Sequence, residues 1–146
     1  MSSTLTQLCT FHVDDLLFAI EVVRIQEVIR FEQITQVPLS SPMVRGLINL
    51  RGQIVTAVDL RSRLDLETAT DDAPMNVVIR LEEGLISIIV DDIGDVLEVD
   101  ESAFEHAPPT LPAHLRRVVD AVCKLPDRLL LVLDPERAAS VDEAPA

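Results

Sequence analysis

Apolar residues come in short runs rich in Val, Ile and Leu, separated by polar or turn-forming residues. Runs of four to eight such residues bounded by Gly, Pro, Asp or Ser read as strands. The pattern predicts strands over Leu8–Val13 and Leu17–Ile20, joined by an Asp14-Asp15 turn. A short turn or helical corner follows from Glu21, then a strand from Gln26 toward Phe31. Leu47, Ile48 and Leu50 precede a break at Arg51-Gly52, and Ile54, Val55, Ala57 and Val58 follow it. That break predicts a tight hairpin, because Gly takes the positive φ that such a turn demands. Asp59 then caps a turn from Leu60 to Leu64. Further strands are expected over Met75–Leu81, Leu85–Val90, Ile93–Val99, Arg116–Leu125 and Arg128–Leu133. Residues 1–6 read as loose and 139–146 as a tail. Pro38–Pro42 and Glu101–Pro112 read as loops, and the polar stretch Glu67–Pro74 as a linker.

The chain also repeats itself. A shift of 68 positions carries Leu17 onto Leu85, Ile20 onto Ile88, Ile25 onto Ile93 and Glu27 onto Asp95. After a seven-residue insertion the offset is 75, and Val44 falls on Val119, Leu50 on Leu125, Val58 on Leu133 and Asp59 on Asp134. Two copies of one five-strand unit are therefore expected, over residues 7–68 and 75–138. A sheet of five short strands cannot leave its apolar face wet, so each copy should curl into a small barrel. The copies differ at one turn, where Arg51-Gly52 is matched by Pro126-Asp127. Pro-Asp makes a good turn by its own chemistry, so folding alone does not explain an arginine there.

Val44, Gly46, Asn49, Leu50, Arg51, Gly52, Asp59, Leu60 and Arg61 fall in register with a VxGxxNLRGxxxxVxDLR signature. In this the chain resembles the CheW-like adaptor family of bacterial chemotaxis. FHVDDLLFAIEVVRIQEVI is similar to the family's opening, LISIIVDDIGDVLEV to its middle strand pair and DRLLLVLDPER to its close. The resemblance implies an all-β fold of two five-stranded SH3-like β-barrels with short helical turns only. It implies a non-catalytic adaptor that couples chemoreceptor tips to a CheA-type histidine kinase, with other CheW-like domains as further partners. An array scaffold that does not itself bind the kinase is the alternative. Carried over by motif, the contact surface comprises Ile25, Glu27, Asn49, Arg51 and Gly52, with Val90 and Ile93 as the corresponding element of the second copy. Glu27 and Arg51 supply charge-selective contacts. Ile25 is either an apolar anchor or core, and Val90 and Ile93 read as core first. Thr56-Ala57 departs from the Pro and large aliphatic residue of many members.

Composition narrows the partners. The net charge is −13 and the pI about 4.4. No basic stripe exists to displace counterions from nucleic acid, and an anionic membrane would repel the chain. With no Trp, no Tyr and four Phe, the core must be aliphatic. Cys9 and Cys123 sit inside apolar runs and read as small buried hydrophobes. His12, His106 and His114 have no metal-ligand spacing, no nucleophile elbow occurs, and four Gly leave no phosphate loop. No enzyme activity, cofactor or metal is expected. Without a basic leader or an apolar span, the chain reads as cytoplasmic.

Overall fold

A computed structural model describes residues 4–30, 34–35, 44–66 and 75–140. The loop at Pro38–Pro42, the linker at Glu67–Pro74 and residues 141–146 of the tail lie outside the described residues.

Eleven strands are described: β1 (Leu5–Val13), β2 (Leu16–Glu21), β3 (Ile25–Arg30), β4 (Val44–Leu50), β5 (Gln53–Asp59), β6 (Met75–Leu81), β7 (Gly84–Val90), β8 (Asp92–Asp100), β9 (Glu105–His106), β10 (Val119–Lys124) and β11 (Leu129–Leu133). Three four-residue helices accompany them: α1 (Leu60–Arg63), α2 (Ala113–Arg116) and α3 (Pro135–Ala138). The fold is all-β, as expected. Three local readings are corrected. Leu5 and Thr6 belong to β1 because they pair with Asp100 and Val99. Arg116 ends α2 rather than opening a strand, since the Pro112 carbonyl accepts from the amides of Leu115 and Arg116. The expected loop Glu101–Pro112 holds β9, which pairs with β10.

The strands form two sheets, β8-β1-β2-β11-β10-β9 and β3-β6-β7-β5-β4. The sheets do not divide the chain at 68 and 75. The six-stranded sheet takes β1 and β2 from the first half and four strands from the second, and the five-stranded sheet takes β6 and β7 from the second half and three strands from the first. No Gly, Pro, Asn or Asp lies between β2 and β3, so the chain cannot reverse there and passes into the other sheet through a 3₁₀ turn at Val22–Arg24.

The repeat survives this exchange residue by residue. The parallel pair Thr56↔Ile86 maps by the two offsets onto Leu131↔Phe18, which pairs in the other sheet. Val44↔Val58 maps onto Val119↔Leu133, each followed by an equivalent β-bulge. Closure is also repeated. The chain leaving β3 returns at Thr35, which exchanges two 2.8 Å backbone hydrogen bonds with Leu47 on the far edge strand β4. The chain leaving β8 returns as β9 and pairs with β10 in the same way. This sixth strand is the closing segment of an SH3-like barrel, and it covers an edge that would otherwise invite aggregation.

Among the described residues, three apolar clusters hold the fold together. One lies in each barrel: Leu8, Leu17, Ala19, Cys123, Leu130 and Val132 in the first, Ile48, Leu50, Val55, Ala57, Val78 and Ile89 in the second. The largest lies between them, drawing Phe11, Phe18 and Leu131 from one sheet and Val77, Ile79 and Ile88 from the other. Phe11 and Phe18 stack there with centroids 6.1 Å apart.

The barrel cores differ in polarity at one pair of positions. Asn76 and Ser87 are fully buried, Ser87 Oγ donates to Asn76 Oδ1 at 2.9 Å, and Asn76 Nδ2 has no partner. The equivalent residues in the other barrel are Leu8 and Ala19. Replacing both partners of a buried polar pair by apolar groups is nearly neutral or stabilising, whereas removing one strands the other at about 1–3 kcal/mol. Ser87→Ala alone is therefore expected to lower the urea midpoint, and Asn76→Leu with Ser87→Ala to restore or exceed it.

Polar latches tie the corners. Arg61 on α1 donates from Nε and Nη2 to Asp91 at 2.8 and 2.7 Å, and the Asp14 amide donates to the same carboxylate at 2.7 Å. The equivalent corner has the same plan with the charges reversed. Glu136 on α3 stands where Arg61 would be, accepts from the Glu82 amide at 3.1 Å and pairs with Arg24 at 3.4 Å. Burial pushes the Asp91 carboxyl up. The Arg61 hydrogen bonds, the Asp14 amide and the Arg61 charge outweigh it and hold the carboxyl below its ordinary value. A depressed folded-state pKa contributes stability that is present above the unfolded value of about 3.9 and is lost as pH falls through the folded value. Arg61→Ala should cost about 1.5–3 kcal/mol at neutral pH, the range for hydrogen bonds to charged groups. Urea midpoints compared at neutral and acid pH should show that penalty shrinking in acid.

Candidate functional site

The site is built on the β4–β5 hairpin, which closes with Leu50 opposite Gln53. Arg51 has φ 52° and Gly52 φ 88°. Both central residues therefore take the left-handed conformation, as a type I′ turn requires. The sequence assigned positive φ to Gly52 alone; Arg51 shares it. Asn or Gly is the usual residue at that first position, and an arginine there carries a small conformational cost. Asn49 offsets it from the side, its Oδ1 accepting from the Gly52 amide at 2.8 Å.

β3 supplies the second half of the site. A β-bulge between Ile25 and Glu27 shifts the register against β6, and bulges re-aim side chains. Glu27 meets the hairpin tip, where Arg51 Nη1 donates to Oε2 at 2.5 Å and Nη2 to Oε1 at 3.0 Å. The contact is bidentate and links residues 24 positions apart. The Arg51 side chain remains 74% exposed while that of Glu27 is 22% exposed. The carboxylate thus orients a guanidinium that still faces solvent on its remaining edge.

Four of the expected residues, Glu27, Asn49, Arg51 and Gly52, are brought together here. Ile25 and Ile93 are partly buried and pack against the core between the barrels. Val90 is 2% exposed within that core and offers no surface. One residue was missed: Ile54, 60% exposed beside the turn. Its orientation follows from the pairing. Ile48 faces Val55 and Leu50 faces Gln53, which leaves Ile54 opposite the exposed Asn49. An exposed aliphatic next to an oriented arginine suits a protein partner.

Burial raises the pKa of both Cys9 and Cys123, with the Glu105 charge adding to it for Cys123, so both stay thiols. Among the described residues no group of three or more His, Cys, Asp or Glu is placed to hold a metal, and no helix is long and apolar enough to cross a membrane.

The family model of the CheW-like domain matches residues 7–143. The chain belongs to the CheW-like family. Among relatives of this CheW-like chain, the chemotaxis protein CheW of Bacillus subtilis (strain 168) is 31% identical over 129 residues, 88% of this chain and 83% of that protein. The chemotaxis protein CheW of Treponema pallidum (strain Nichols) is 25% identical over 142 residues, 94% of this chain and 84% of that protein. The crystal structure of the scaffolding protein TtCheW from Thermoanaerobacter tengcongensis has the same fold, with a TM-score of 0.81, 22% identity and 90% of each chain covered.

Proposed function

We propose that this CheW-like protein is a non-catalytic adaptor of a chemotaxis-type pathway. It couples the cytoplasmic tips of chemoreceptors to a CheA-type histidine kinase in a signalling array, working in the cytoplasm beside membrane-bound receptors. The observation that carries the reading is Arg51. It occupies a turn position that costs it conformational energy, is oriented bidentately by Glu27 and stays open to solvent. The second copy makes the equivalent turn with Pro126-Asp127 and needs no arginine. Relatives over most of the chain are named as chemotaxis proteins. Glu27, Asn49, Arg51, Gly52 and Ile54 form the proposed contact surface, with Ile54 as the apolar element beside the charges.

A co-purification test addresses this directly. The tagged protein is mixed with a chemoreceptor cytoplasmic fragment and a CheA-type histidine kinase from the same organism. Retention of both supports coupling. Retention of receptor alone selects the scaffold that does not touch the kinase, and retention of neither removes the reading.

A further inference from the structure

The hairpin of β1 and β2 is built into the sheet of the second half, and one connection ties it to β3. That connection is the 3₁₀ turn Val22–Arg24. The residues flanking it are already extended, Glu21 at φ −57° and ψ 133°, Ile25 at φ −97° and ψ 124°. Only the 3 residues of the turn keep β2 and β3 from being one strand. The turn has no side-chain cap and no buried residue, and the Ile25 amide closes it by donating to the Val22 carbonyl. Its sequence favours a different conformation. Val22 and Val23 are β-branched and Ile25 follows them, and such residues prefer extended backbone. Val23 is 71% exposed, so packing does not offset that preference.

The second copy makes the same passage with other residues. By the offset of 68, Val22-Val23-Arg24 correspond to Val90-Asp91-Asp92 between β7 and β8. Val90 is anchored in the core. Asp91 is a turn former, gripped by Arg61 and by the Asp14 amide. In the first copy Val23 stands in the place of Asp91, and the fastenings lie in solvent. Arg24 donates to the Arg80 carbonyl at 3.1 Å, and Arg80 donates to the Val23 carbonyl at 2.8 Å. The hairpin held by this turn carries Phe11 and Phe18 of the central core and Leu8, Leu17 and Ala19 of one barrel. Set free, so much apolar surface needs a barrel like the one it left.

We infer that this joint lets two copies of the chain exchange hairpins. The 3₁₀ turn opens, β2 and β3 merge into one strand from Leu16 to Arg30, and the β1–β2 hairpin of each copy pairs with β8 and β11 of the other. Every strand pairing of the closed chain is remade between copies, and the difference is confined to the turn. Exchange of an identical element is a low-cost route to a dimer, and a short connection at odds with its sequence invites it. Each copy keeps its own β3, β4 and β5, so Glu27 and Arg51 stay paired within one chain. The dimer thus presents two Arg51 tips.

A disulfide across the exchanged pairing is the test. Gln7 on β1 is paired with Glu98 on β8, and both are exposed. The full chain with Gln7→Cys and Glu98→Cys is refolded from urea at high protein concentration with reductant, separated by size, and only then oxidised. The native Cys9 and Cys123 are buried. The expected result is a dimer fraction that runs as a covalent dimer on a denaturing gel, beside a monomer fraction that runs as single chains. Either cysteine alone is expected to give no covalent dimer, because the bond requires the β1–β8 pairing. Val23→Asp, which installs the residue of the equivalent turn, should fold as well as wild type and lower the dimer fraction roughly tenfold, since two turns per dimer lose their extended preference. A dimer that releases only single chains has each hairpin at home and would overturn the inference. Refolding to monomer alone at every concentration, or a dimer fraction unchanged by Val23→Asp, would do the same.

Discussion

Arg51→Ala is expected to leave the melting curve nearly unchanged and to weaken assembly with receptor and kinase by roughly 30-fold. The folding half follows from exposure. The side chain is 74% exposed, and surface substitutions away from special features change stability by within about 0.5 kcal/mol. Its salt bridge with Glu27 adds little, because exposed ion pairs contribute a median of about 0–1 kcal/mol. Alanine at φ 52° is no easier to place than arginine, so the turn neither gains nor loses much. The binding half follows from the position of the charge. Truncating a residue central to an interface costs about 2 kcal/mol or more, which is a factor of roughly 30 in affinity. A charge exchange separates the pair from the partner. Glu27→Arg with Arg51→Glu keeps an ion pair at the tip but inverts what the partner meets, so folding should survive and binding should not. Pro126→Ala, at the equivalent turn, is the control and should leave binding intact.

The largest effect on folding is expected at Gly46, not at any charged residue. Gly46 has φ +150°, and a Cβ there would sit inside the van der Waals shell of the Thr35 carbonyl oxygen, with the Ile34 side chain also too close at 2.7 Å. The obstacle is backbone, and it is the backbone that closes the barrel through the Thr35–Leu47 hydrogen bonds. Gly46→Ala therefore combines strain at an unfavourable φ with the loss of closure. Backbone strain alone costs about 1–3 kcal/mol, and losing the two closing hydrogen bonds adds about 1 kcal/mol each. A fall of about 3–5 kcal/mol in unfolding free energy is expected from chemical denaturation. In contrast, nothing lies within 4 Å of a Cβ built at Gly52, so Gly52→Ala should cost only the conformational preference at φ 88°. An alanine at 46 that folded as stably as wild type would show that the closing contact is dispensable.

Much of this architecture is legible in the sequence, and its failures have identifiable causes. The hairpin around Arg51-Gly52 could be placed because a turn signal sits between two apolar runs of the right length. The cap at Asp59 could be placed because a short acid precedes the turn, and Asp134 repeats it on α3. The offsets of 68 and 75 found the right equivalences, down to matching bulges. They did not reveal that the halves exchange strands. An internal repeat says which segments are alike, and says nothing about which copy each segment pairs with. The ion pair of Glu27 with Arg51 was hidden for a related reason. Both residues were marked as contacts, but barrel closure between β3 and β4 is what makes them neighbours. Arg116 was misread because no Gly or Pro separates it from the apolar Val118 and Val119, while Pro112 at the N-cap of α2 was the helix-start signal. Val90 was marked by correspondence with the first copy but read as core first, and β7 does contribute to cores on both faces: Ile88 and Val90 to one, Ile89 to the other.

The two copies also show how a duplicated fold diverges in chemistry while keeping its geometry. The corner latch reverses its charges, Arg61 and Asp91 in one copy against Glu136 and Arg24 in the other. The bulge residue changes from Arg45 to Asp120. One barrel core keeps Leu8 and Ala19 where the other buries Asn76 and Ser87. Each exchange leaves the backbone plan unaltered, so the two ends of the molecule present different surfaces to partners. That difference is what an adaptor joining two unlike proteins requires.

The central claim is that one folded chain bridges receptor and kinase, with the Arg51 tip as a contact. The most direct measurement is reconstitution of the ternary assembly from purified receptor fragment, kinase and this protein, read by sedimentation and by kinase activity in the pellet. Wild type is expected to carry the kinase into the receptor pellet and change its activity, and Arg51→Ala, equally folded by circular dichroism, to lose most of that recruitment. Wild-type protein that is folded but brings no kinase to the receptor, or an Arg51→Ala variant that recruits as well as wild type, would contradict the account.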